Sequence, residues 1–189
     1  MLLGSGGGAA SGAAIAIVDT AGTGGFFTPT VFVPEDAAPG GVFASSGNQV
    51  RVSQFVLPFR TTVGKATVEV TTLQAATVAT VGIYDSSGTK LIDSGTFDVS
   101  STGFKQNSFT AVTLQPGTYY AAWSADGTTA AGRHLTSGLG SAAGSFVNQG
   151  TASRRATAAN AMAGGVLPST LGALADTNLA SGLIAYWET

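Results

Sequence analysis

The sequence predicts an all-β chain, and three observations carry that expectation. Apolar residues alternate with small or polar ones in short runs, these runs recur at close intervals, and the breaks between them are written in Gly, Pro and Asp. Strands this short with turn residues between them indicate a sandwich or a barrel. The 189 residues suffice for one sizeable β domain plus an appendage.

Residues 1–25 are Gly/Ala-rich, with a short apolar patch at Ala14–Val18. A segment so poor in large side chains does not offset its own ordering entropy. It is expected to be an N-terminal anchoring arm, with Leu2, Leu3, Ile15 and Ile17 gripped by another protein or subunit. The rival expectation is that the segment folds back on its own sandwich.

The sandwich itself is expected over 26–189. FFTPTVFV, 26–33, is a broken edge-type strand, because Pro29 has no N–H to give to a ladder. In NQVRVSQFVLPF, 48–59, Val50 and Val52 share one face while Phe55, Leu57 and Phe59 take the opposite parity. That change of phase near Ser53–Gln54 predicts a β-bulge or a crossing between sheets. KATVEVTT, 65–72, places Ala66, Val68 and Val70 inward and Lys65, Thr67 and Glu69 outward.

VGIYDSSGTKLIDSGTF, 81–97, reads as a hairpin. Val81 and Ile83 share a face, Asp85–Gly88 makes the turn, and Leu91 returns. SFTAVTL and GTYYAAWS add two further strands, at 108–114 and 117–124. The expected core is Val68, Val70, Val81, Ile83, Val112 and Leu114. Residues 127–165, long in Ala, Gly, Ser and Thr, read as a loop, an excursion over a partner or a region of concealed strands. A last strand is expected at Leu183–Trp187.

Composition narrows the function. Charged residues make up 10% of the chain, against about 25% in ordinary soluble domains. With 27 Gly and abundant Ala, Ser and Thr, this predicts surfaces hidden against neighbouring subunits in a homo-oligomer, most simply a trimer. A net charge of −2, with Arg154–Arg155 the one adjacent basic pair, argues against nucleic acid as a partner. The absence of Cys removes disulfides, thiolate catalysis and thiolate metal sites. No apolar window approaches a membrane span, and the N-terminal stretch lacks the basic start of a signal peptide, so no membrane and no Sec export are expected.

No chemistry assembles from spacing, and neither catalytic residues nor a cofactor or metal are expected. His134 stands in a Gly/Ala stretch with no nucleophile-elbow pattern nearby. Gly4–Ala9 satisfies G-x-G-x-x-A without a preceding strand, and Gly64-Lys65 lacks the rest of a phosphate loop. Asp85, Asp93, Asp98 and Asp126 fall in turn-rich segments outside any calcium-loop pattern and read as turn caps. In TYYAAWS, Tyr119 and Trp123 share one face and Tyr120 the other, so one set belongs to the core. The other would be free to stack on sugars if it were exposed.

The runs VRVSQFVLPFRTTVGKATVEVTT, VGIYDSSGTKLIDSG and VTLQPGTYYAAWSADG, with the closing LPSTLGALADTNLASGLIAYWE, resemble jelly-roll domains of tailed-bacteriophage virion proteins. Those are fibre, tail-tip and capsid-decoration modules. The resemblance spans roughly residues 50–127 and 167–188. It implies an antiparallel jelly-roll sandwich and a non-enzymatic structural role in the virion, with phage capsid or tail proteins as partners. It supplies no catalytic motif. A carbohydrate-binding or host-adhesion module on the same fold is the alternative.

Overall fold

The computed structural model describes residues 14–15, 26–27, 37–44, 46–57, 60–135, 155–176 and 182–188. Fourteen strands run through them. The first four are β1 (Ala14–Ile15), β2 (Phe26–Phe27), β3 (Ala37–Val42) and β4 (Arg51–Leu57). Next come β5 (Thr61–Thr72), β6 (Val78–Asp85), β7 (Lys90–Asp98), β8 (Gly103–Leu114) and β9 (Gly117–Ala125). The last five are β10 (Ala131–Leu135), β11 (Arg155–Ala158), β12 (Leu174–Asp176), β13 (Gly182–Leu183) and β14 (Ala185–Glu188). No helix occurs among the described residues.

The strands form two sheets. The first has the order β12-β11-β4-β9-β6-β7, with β1 also on β4. The second has the order β13-β10-β5-β14-β2, with β3 on β10 and β8 on β5. Every pairing is antiparallel except β1 with β4. The chain is therefore all-β, built of two antiparallel sheets as its alternation predicts.

The inner faces meet in one apolar core. Phe55, Leu57, Val81, Ile83 and Trp123 come from the first sheet; Val63, Val68, Val70, Leu183 and Trp187 come from the second. Of the expected core, Val68, Val70, Val81, Ile83 and Leu114 are buried and Val112 packs against them partly buried. On β5, Lys65, Thr67 and Glu69 face outward, as their parity demands.

The hairpin forms with its turn at Asp85–Gly88. One Asp85 carboxylate oxygen accepts from the Ser87 and Thr89 amides, both at 2.9 Å, and from the Ser87 hydroxyl at 2.6 Å. Gly88 takes φ +83°, a region that a side chain would disfavour. The returning strand differs from expectation. Ile92 lies opposite Ile83 and is buried, while Leu91 is 39% exposed. The register shifts between Ile83 and Tyr84, so the extra residue turns Leu91 outward.

The phase change in β4 has a different cause from the expected bulge. Its register against β9 runs unbroken from Arg51–Trp123 to Leu57–Gly117. Phe55 and Leu57 enter the core between the sheets, whereas Val50 and Val52 enter a second apolar cluster on the other face. Ala156 and Ala158 of the adjacent β11 share that face, and Met162, Leu167 and Leu171 cover it. The strand is continuous in register and buried on both sides, and each side supplies its own apolar set.

The stretch 127–165 is not simply loop. It holds β10 and β11, and residues 136–154 lie outside the described residues. β3, β10 and β11 are rich in Ala and Gly, which carry low β-propensity, and they owe their extended form to their neighbours. A Cβ at Gly41 would stand 2.3 Å from the His134 ring, so β3 approaches β10 too closely for any side chain there. The expected terminal strand also divides. β13 pairs with β10 and β14 with β5, and the change of partner falls at Ile184, whose amide donates to Arg133 O at 3.0 Å.

Candidate assembly site

Of the four expected anchor residues, Leu2, Leu3 and Ile17 lie outside the described residues. Ile15 is in β1, and its backbone pairs in parallel with Val56 of the chain's own β4. The side chain of Ile15 is likewise outside what the structure describes.

The two sheets differ in how their outer faces are finished. The first is roofed by the segment after β11. Leu167 seats directly over Gly82, where a Cβ would come within 2.6 Å of both Leu167 Cδ1 and Ile92 O. Polar contacts hold the roof down. Asp93 accepts from the Leu167 amide (3.1 Å), Lys90 Nζ (3.0 Å), the Gly95 amide (3.0 Å) and Thr80 Oγ1 (3.2 Å). Lys90 Nζ also donates to Leu167 O at 2.6 Å. Tyr84 donates its hydroxyl to Pro168 O at 2.7 Å. Burial first, and then the Asp93 carboxylate, push that phenol above its ordinary value, so it is a neutral donor at physiological pH. Tyr120 packs partly buried against the same cluster, and Tyr119 and Trp123 are in the core, so strand β9 offers no free aromatic platform.

The second sheet presents a polar outer face ordered in rows. Phe104, Glu69 and Arg133 form one row; Gln106, Thr67 and Tyr186 the next; Ser108, Lys65 and Glu188 the third. Arg133 binds Glu69 through two nitrogens, Nε to Oε2 at 2.9 Å and Nη2 to Oε1 at 2.7 Å. That hydrogen bonding holds the Glu69 carboxyl below its usual range and raises Arg133. Glu188 receives Thr67 Oγ1 at 3.1 Å and Lys65 Nζ at 3.5 Å. Gln106 Nε2 donates to Thr67 Oγ1 at 3.0 Å. Two cations and two anions balance on this face, and Phe104 at its margin is 71% exposed.

This face is a unit that the sequence does not display. The outward parity of Lys65, Thr67 and Glu69 is readable, but their partners Arg133 and Glu188 stand 64 and 121 or more positions away. His134 belongs to strand β10, opposite Leu183, rather than to a loop. Asp98 caps the Ser100 amide at 2.8 Å and Asp126 the Val78 amide at 2.9 Å. Among the described residues no group of three or more His, Asp or Glu is placed to hold a metal ion, and no helix is long and apolar enough to cross a membrane.

Fold and site together define a two-sheet β protein with one roofed sheet and one sheet that carries an ordered, charge-balanced outer face. Set against protein-family models, curated proteins and solved structures, the chain matches none.

Proposed function

We propose that this chain is a non-enzymatic structural protein of a bacteriophage virion, a capsid-decoration or fibre module of jelly-roll type. It assembles with capsid or tail proteins through its Gly/Ala-rich N-terminal arm and with copies of itself, a trimer being the simplest ring. The observation that carries the structural reading is where the charges go. Each Asp and Glu whose side chain is described holds part of the fold. Asp85 closes a turn, Asp93 holds the roof, Asp98 and Asp126 cap backbone amides, and Glu69 and Glu188 bind cations on neighbouring strands. Enzymes instead keep carboxylates poised for substrate, often at the cost of stability. The virion assignment rests on the strand-and-turn runs that resemble phage jelly-roll domains.

Immunogold labelling of particles from a phage that encodes this chain tests the proposal. Label on capsid, tail or fibre is the expected result. Purified infectious particles that lack the protein would overturn it.

A further inference from the structure

The outer face of the second sheet carries its charges as a quadrupole. On β5 the order along the strand is Lys65, Thr67, Glu69; on the neighbouring β14 and β10 it is Glu188, Tyr186, Arg133. Cation and anion exchange places between the two columns. Such a pattern is complementary to itself under rotation about a two-fold axis that lies in the face and runs across the strands through the middle row. That rotation sets Glu69 over Lys65 of a second copy and Arg133 over Glu188. Gln106, Thr67 and Tyr186 then meet their own counterparts. On β8 the exposed Phe104 ring falls over Ser108, large against small.

The size of the face suits this use. At about 3.4 Å per residue, the 12 residues of β5 extend roughly 40 Å, and three columns at about 4.8 Å spacing (β8, β5, and β14 with β10 end to end) give roughly 600 Å². About 600 Å² from each partner is at the low end of specific interfaces, the size of a reversible pair. Tyr186 lies in the middle row between the two ion pairs, so the axis brings it beside its own counterpart.

We infer that two copies of this chain associate face to face through the outer surface of the second sheet. Arg133 of each pairs with Glu188 of the other, and Glu69 with Lys65. The inference deepens the self-association in the proposed function and does not depend on attachment to a virion. It is an isologous contact, distinct from the head-to-tail contacts of a ring, so it joins two chains or two trimers.

Light scattering after size-exclusion chromatography of the full chain reads it. Wild type is expected at twice 18.7 kDa, or at six times that mass if trimers pair. Arg133→Glu alone and Glu188→Arg alone each place two like-charge contacts in the interface and should halve the wild-type mass. An equimolar mixture of the two variants should restore it. In the mixed pair the introduced carboxylate of one chain meets the introduced guanidinium of the other, and the second contact stays native. Gln106→Arg serves where those variants fold poorly. It sits exposed on the axis, so it should halve the mass while the far-UV circular dichroism stays that of the folded wild type. A monomeric or purely trimeric wild type, variants that keep its mass, or a mixture that stays at the halved mass would each overturn the inference. A negative labelling result on phage particles would overturn the virion reading alone.

Discussion

Gly82→Ala isolates the contact that roofs the first sheet. Gly82 is absent from the positive-φ residues, so its backbone suits alanine. With free space the substitution would stabilise by about 0.4–1 kcal/mol, because it restricts the unfolded chain. The space is not free. The new Cβ would stand 2.6 Å from Leu167 Cδ1 and 2.6 Å from Ile92 O, roughly 1 Å inside ordinary contact distance on both sides. Leu167 can swing, but the Ile92 carbonyl belongs to the paired strand β7. Overpacking of this kind costs about 1–3 kcal/mol, and net of the backbone gain about 1–2 kcal/mol remains.

Urea unfolding followed by tryptophan fluorescence measures this cost, since Trp123 and Trp187 are both buried in the core. Leu167→Ala alone should cost about 2–4 kcal/mol, as it empties a fully buried site. In the double variant the cost of Gly82→Ala should fall by about half, because one of its two collisions is gone and the other remains. A cost identical in both backgrounds, or a net stabilisation by Gly82→Ala alone, would refute the roof contact.

Acid should weaken the fold through its turn and its outer face. The Ser87 hydroxyl and then the Thr89 amide lower Asp85, and the Arg133 hydrogen bond lowers Glu69, so each folded pKa lies below its unfolded value. Their contribution is full above the unfolded carboxylate range near pH 4 and is lost as pH falls through the lower folded values. Unfolding midpoints at pH 7 and pH 3 should therefore converge in Asp85→Asn relative to wild type, and an unaltered pH dependence would contradict this. Deleting residues 1–12 should leave the melting temperature unchanged while abolishing incorporation into particles, since β1 is retained. Deleting 1–18 also removes the β1–β4 pairing, and a lower melting temperature for this variant alone would show that the segment contributes to its own sandwich. His134→Ala should leave any adhesion or assembly unchanged, and loss of function in a folded variant would assign that side chain a chemical role.

Much of the architecture is legible in the amino-acid order. β5 alternates apolar with polar residues along a half-buried strand, and β6 and β9 keep apolar residues at every second position of their core face, a period of two that leaves few other conformations open. The Asp85–Gly88 turn is equally local, because its acceptor, donors and glycine all lie within five residues. Other features come from tertiary structure alone. The parity change in β4 is plain in the sequence, but a bulge and a strand covered on both faces write the same letters, and only the presence of Leu167 and its neighbours on the far side separates them. The strands β3, β10 and β11 have no alternating run of large apolar side chains to announce them, and their Ala and Gly residues are extended by the edges they pair with. The charged face depends on partners more than 60 residues apart, and a sequence does not state which distant strand will lie beside β5. Alternation is a local consequence of burial on one side, whereas pairing across a sheet is a property of the whole folded chain.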